Sequence, residues 1–210
     1  MRQLNVNGIE QPLESLPDYW GKLLERLDRD ADLRGEVVTA VRFDHVEQPA
    51  FREPVLIECR LTELESIAIE TTARRVLIDD ALAHGVMSCH ALATAARDAR
   101  ALFRAGDAAA ASRALLEFGE GIRSLVVLVG AVAAACTTAF DSVDTKGRTV
   151  SDDVNDLIRQ LEDVVSAQQA DDWLTVADIL EYEFEAALEG WRTRFTALRF
   201  AVSEGPAEAV

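Results

Sequence analysis

The 210-residue sequence predicts an α+β protein: a small β-rich unit followed by an antiparallel four-helix bundle. Three observations carry this expectation. Short segments alternating apolar with polar residues, bounded by turn residues, occupy residues 1–71. Beyond them apolar residues recur every three or four positions, and 20 of the 33 alanines fall in residues 73–139. Brief Gly- or Asp-bearing breaks then divide the remainder into four helices with short antiparallel connections. The expected domains are 1–71, the bundle at 72–203 and a disordered tail at 204–210.

Leu4 and Val6 alternate with polar neighbours and run into Asn7-Gly8, a two-residue hairpin signal, so Ile9 opens a return strand. Ser15 or a neighbour can cap a helix; Pro17 suits its first turn and Asp18 its dipole. Trp20, Leu23, Leu24 and Leu27 fall at i, i+3, i+4 and i+7, one apolar helical face, and Gly35 ends it. Val37, Thr39, Val41 and Phe43 alternate as a strand. A second strand is expected over Val55, Leu56, Ile57, Glu58 and Cys59, and a third from Ser66 to Thr71. This order of hairpin, helix and further strands resembles the β-grasp, or ubiquitin-like, fold. Modifiers and sulfur carriers of that fold end in a free Gly-Gly. Here the chain continues from Ile69 into a long helix, so the resemblance implies a fold and no conjugation role.

The first bundle helix is expected over 72–104, with Ile78, Leu82, Cys89, Leu92, Ala96 and Phe103 on its core stripe. Gly106-Asp107 ends it and caps a second helix over 108–140. Residues 125–140 carry no charge. A spanning helix needs roughly 20 such residues, so the run is read as a helix apolar on all sides, inside a bundle or at a subunit interface, with no membrane insertion. A polar loop centred on Asp144, Thr145, Lys146 and Gly147 follows. Thr149 and Ser151 cap a third helix bearing Val154, Leu157, Ile158, Leu161, Val164 and Val165. Asp171-Asp172 starts the last helix, which runs to about residue 202.

Charge narrows the function classes. The sequence carries 21 Lys and Arg against 37 Asp and Glu, a formal charge of −16, which repels nucleic-acid backbones and anionic lipid. The excess is concentrated: residues 141–190 hold three basic and 14 acidic residues. That makes an acidic face that a basic partner, or the Arg192, Arg194 and Arg199 end of a second subunit, can read. An apolar fraction of 49% excludes a disordered chain. Three widely spaced cysteines, Cys59, Cys89 and Cys136, with no C-x-x-C and no apolar leader at the N-terminus, point to the cytoplasm.

Catalytic and metal signals are weak. His84 and His90 lie six apart on one helix, and no Glu-x-x-His accompanies them. The loop around Gly147 places Ser142 and Lys146 where a calcium loop needs oxygen ligands such as carboxylates or amides. The carboxylates Asp178, Glu181, Glu183 and Glu185 lack a positioned cation or nucleophile in sequence and read as a solvated acidic edge. No catalytic residue, metal or cofactor is expected.

The last helix carries the most information. Trp173, Val176, Leu180, Phe184, Leu188, Trp191, Phe195 and Leu198 share a core stripe. A second stripe of Ile179, Tyr182, Ala186, Gly190, Thr193, Ala197 and Phe200 steps by three and four, alternating small with large. Two stripes need two partners: the bundle core, and either the N-terminal domain, a second subunit or a client helix. The run from Asp172 through Trp173, Leu174, Thr175, Val176 and Ala177 to Glu183 resembles a C-terminal signature of uncharacterised bacterial proteins with a β-rich start and a helical remainder. The acidic helical part is also similar to flagellar and type III export chaperones, which hold helices of secreted subunits. The expected function is a non-enzymatic protein-interaction module, adaptor or chaperone-like, that binds a protein partner or itself as a homodimer through those seven residues. The rival is an enzyme with its site in a cleft between the domains, using Asp178, Glu181 or His84.

Overall fold

Asn7 and Gly8 both adopt left-handed backbone, with φ of 51° and 79°, as a two-residue hairpin turn demands. The turn joins β1 (Gln3–Val6) to β2 (Ile9–Glu10). A second turn of the same kind, at Asp44 (φ 49°) and His45 (φ 68°), joins β3 (Glu36–Phe43) to β4 (Val46–Glu47). With β5 (Ser66–Ala73) they form one sheet in the order β2-β1-β5-β3-β4, in which only the central β1–β5 pair is parallel. That is the arrangement the β-grasp resemblance implies. Both turns are tied to β5. Asn7 Oδ1 accepts from the Thr71 backbone N–H at 2.8 Å, and Asp44 Oδ1 accepts from those of Glu65 and Ser66 at 2.8 and 2.7 Å.

The structure is a computed structural model and describes residues 3–13, 16–136 and 149–204. The expected Ser15 cap, the helical extension to residue 140, the loop around Asp144 to Gly147 and tail residues 205–210 lie outside the described residues.

Two compact units divide the chain, Met1–Leu77 and Ile78–Val210. In the first, α1 (Trp20–Asp32) buries Trp20, Leu23 and Leu24 against Leu4, Val41, Phe43, Ile67 and Ile69 of the sheet. Trp20 meets Phe43 edge-on, and its Nε1–H donates to the Phe51 carbonyl at 2.8 Å, so the buried indole leaves no orphan donor. Gly35 (φ 67°) ends the helical turn, as its permissive backbone predicts. One expected strand is absent. Pro54–Ile57 forms a short helix, α2, with Pro54 in its first turn. An apolar run cannot by itself distinguish a strand from a helical turn. Here Pro54 and the close approach of Ile57 to Gly21 decide for the turn.

The second unit contains α3 (Arg74–Ala105) from Ile78 onward, α4 (Ala108–Ala135), α5 (Val150–Gln169), α6 (Trp173–Asp178) and α7 (Glu185–Glu204), with a π-helical segment, Ile179–Phe184, joining α6 to α7. α6, the π-helical segment and α7 are contiguous and form one rod, so four rods share one core. Buried residues on α3 step through Ile78, Leu82, Gly85, Cys89, Leu92, Ala96, Ala99 and Phe103, and on α4 through Ala111, Leu115, Phe118, Ile122, Leu125, Val129 and Val132. This alternation of four and three is a heptad seam, written partly in alanine, glycine and cysteine. Phe103 stacks on Trp173, and Gly85 faces Phe195, contacts that set α3 antiparallel to the last rod. Asp107, Thr149 and Asp172 begin their rods as expected, whereas Ser151, expected as a cap, lies inside α5. Asp107 accepts from the Ala110 N–H, Thr149 and Asp152 form a reciprocal capping box, and Asp172 accepts from the Thr175 N–H.

Helix α4 departs from expectation. It is buried along one face only; Leu116 is exposed, and so is Val127 at 72%. Four rods around one core give each a single inward stripe, so an apolar circumference does not bury an entire helix. By length and composition alone Ala109–Ala135 suffices to cross a membrane, a test that core helices of soluble bundles also pass. On α5 likewise, Leu157 and Val164 are buried while Ile158 and Val165 are exposed.

Candidate functional site

The π-helical segment sets the faces of the last rod. Its wider turn absorbs one extra residue, so Leu180, Phe184 and Leu188 reach the core at successive steps of four before the heptad resumes at Trp191, Phe195, Leu198 and Val202. The same turn brings Ile179 inward beside Leu180, leaving it 7% exposed. Ile179 therefore belongs to the core. Tyr182, Ala186, Gly190, Thr193, Ala197 and Phe200 are all exposed, with Tyr182 at 68% and Phe200 at 64%. They make one continuous stripe of about five turns, roughly 27 Å, with an aromatic ring at each end and small residues between.

Alongside this stripe α5 and α7 enclose a groove of about 570 Å³. Ala186, Gly190 and Thr193 form part of its wall, and Trp191 and Gln160 lie within it. Asp153, Asp156, Glu183 and Glu189 ring it with carboxylates. Beside it Arg194 is 1% exposed; it donates to Asp153 Oδ2 at 2.6 Å and lies over the Trp191 ring. Gln160 is 8% exposed, and its Oε1 has no hydrogen-bond partner among the described residues. It occupies the seam position between Leu157 and Val164, where a leucine would pack without a polar cost. An unpaired buried acceptor costs about 1–3 kcal/mol, so this glutamine is not explained by packing.

Gln160 was not legible as a site residue, and Arg194 was expected to read an acidic face of a second subunit, not to sit buried beside Asp153. Both lie in runs that read as polar helix surface. The available signal was the spacing Leu157, Gln160, Val164, Ala167, which places a polar side chain on a buried stripe.

The other candidates have structural employment or lie apart. Glu181 bridges Arg100 at 2.5 Å and Arg104 at 2.7 Å, which ties the π-helical segment to α3. Asp178, Glu185, His84 and His90 are exposed. Where carboxyls titrate low, the cause is local. The Thr175 hydroxyl and N–H hold Asp172 down, and the Arg192 guanidinium does the same for Glu189. The arginines expected to read an acidic face are engaged within the chain: Arg192 with Glu189, Arg194 with Asp153 and Arg199 with Asp79.

A family model described as a domain of unknown function (DUF8042) matches residues 89–194, half of the chain. The chain belongs to this family. The matched segment runs from Cys89 on α3 to Arg194 on α7, and so contains the groove and the stripe as far as Thr193. A family without assigned activity was expected, and the matched family is one of unknown function. No curated protein and no solved structure matches the chain.

Proposed function

We propose that this DUF8042 protein is a non-enzymatic interaction module that docks a helix of a protein partner, or of a second copy, along the exposed stripe of α7. The supporting observation is the stripe itself. Five turns of a well-anchored helix present Tyr182, Ala186, Gly190, Thr193, Ala197 and Phe200 to solvent, while the opposite face is fully used by the core. Small residues let a second helix approach closely, and aromatic residues at the ends supply contact area. A cytoplasmic bacterial adaptor or export-chaperone role suits an acidic surface of this kind and cysteines at wide spacing.

The test is position-specific photocrosslinking in the native host, with a benzophenone side chain at Ala197 and a control at exposed Arg113 of α4. The expected result is a discrete adduct at Ala197 that Ala186→Glu removes while far-UV circular dichroism is unchanged. An adduct pattern at Ala197 no different from that at Arg113, with a monomeric mass by light scattering, would refute the proposal.

A further inference from the structure

The outward side of α4 carries a stripe that the bundle core does not use. Arg113, Leu116, Glu120, Arg123, Val127 and Gly130 are all exposed and alternate in steps of three and four, the spacing of a coiled-coil seam. Leu116 is 62% and Val127 72% exposed. Leu116 also lines a groove of about 860 Å³ between α4 and α5, where Ile158 and Val165 are exposed, so the apolar surface continues onto α5. In the middle of the stripe Arg123 pairs with Glu120 at 3.1 Å.

The stripe is its own complement. Its spacing reads the same in both directions, so an antiparallel copy falls on it in register. With a two-fold axis level with the peptide bond between Gly121 and Ile122, Leu116 meets Val127 of a second copy, Glu120 meets its Arg123, and Arg113 meets its Gly130. Apolar residues then oppose apolar residues, and each carboxylate lies between two guanidiniums. A two-fold contact sets every face against itself, so net charge decides where it can form. Residues 108–135 hold two arginines and two glutamates, a net charge of zero, whereas residues 150–169 hold one arginine and five carboxylates. Length and apolar composition would also admit α4 to a bilayer. Glu120 and Arg123, however, lie mid-face, where a lipid tail offers no partner and a second copy does.

We infer that α4 is a homodimer contact in which two copies pack antiparallel through Leu116, Glu120, Arg123 and Val127. It lies on a different rod from the α7 docking stripe and stands without it.

The test is the mass of the full chain by sedimentation equilibrium over a concentration series. The wild type is expected to be a reversible dimer. Glu120→Arg and Arg123→Glu each oppose like charges at two places and weaken dimerisation at least about tenfold. Val127→Ser, which removes an exposed apolar contact and no charge, weakens it likewise; far-UV circular dichroism shows that each variant is folded. The double reversal restores dimerisation. An equimolar mixture of the two single reversals forms a heterodimer, which a change confined to one helix cannot produce. A wild type that is monomeric throughout, a dimer indifferent to both reversals, or a mixture that stays monomeric overturns the inference. A monomer that sediments with phosphatidylcholine vesicles also overturns it and gives the face to lipid. A dimer that Ala186→Glu dissociates and the reversals do not places the second copy on α7, which discards this inference and keeps the docking reading. A charge-dependent dimer without an Ala197 adduct discards the docking reading and keeps this one. Arg113 lies at the margin of the α4 contact, so a benzophenone there gives an adduct of twice the chain mass, scored apart from that at Ala197.

Discussion

The same substitution at two glycines separates packing from helix propensity. Gly85 and Gly190 both lie inside helices, where alanine is favoured by about 0.8–1.0 kcal/mol. A Cβ on Gly85 would sit 2.9 Å from two atoms of the Phe195 ring and 3.0 Å from a third. Phe195 is fully buried beside Trp191 and cannot swing away cheaply. Overpacking of this kind costs about 1–3 kcal/mol, so Gly85→Ala should be destabilising by up to about 2 kcal/mol. A Cβ on Gly190 meets nothing within 4 Å, so Gly190→Ala should be stabilising by about 1 kcal/mol. Because the propensity gain is common to both, the difference, about 1–3 kcal/mol, isolates the α3–α7 contact. Urea unfolding followed at 222 nm measures it as opposite shifts in midpoint at unchanged m. Equal shifts in the same direction would show that α3 and α7 do not meet at Gly85, and the heptad seam described above would be wrong.

Thr149→Ala removes the hydroxyl half of the α5 capping box, leaving Asp152 to accept from the residue 149 backbone N–H, and should cost about 1 kcal/mol in the same assay, whereas Thr149→Ser should cost little. The Thr71 hydroxyl and Arg34 hold the Glu36 carboxyl below its ordinary value of 4.5 in the folded protein. A depressed carboxyl contributes stability above its unfolded value and loses it as pH falls through the folded one. Glu36→Gln should therefore lower stability at pH 7 and flatten the acid side of the stability profile below pH 4.5; an unchanged profile would refute the assignment. Burial pushes the Cys89 thiol up to about 12, while Cys59 is only partly buried. Iodoacetamide at pH 8 should label Cys59 in the native protein and reach Cys89 only after unfolding, as peptide mass mapping would show.

Much of the fold is legible in the residues, because local chemistry specifies local structure. Asn7-Gly8 can turn as few other pairs can, and the Trp20, Leu23, Leu24, Leu27 spacing has one helical reading. Gly106-Asp107 and Thr149 break and cap helices whatever surrounds them. The α7 stripe was legible for the same reason, since a period of three and four fixes which side chains share a face.

Packing across the chain was not legible. Val55 to Ile57 is apolar, with β-branched residues at both ends, and only the turn at Pro54 and the contact with Gly21 make it helical. Helix α4 is apolar nearly all round, and the number of neighbours, not its composition, leaves Val127 in solvent. Ile179 was placed outward by a regular helical count, and the π-helical turn, fixed partly by Glu181 gripping Arg100 and Arg104, moves it inward.

The sequence by itself determined the α+β class, the hairpin, the caps and breaks of the helices, and the second apolar stripe of the last one. Each is a property of residues within a few positions of one another. The tertiary structure decided which polar residues are buried. Gln160 and Arg194 are hydrophilic on any scale, and it is the meeting of α5 with α7 that encloses one and pairs the other with Asp153. Desolvation is imposed by neighbours distant in the chain, so a groove with an unsatisfied acceptor emerges only when two helices are brought side by side.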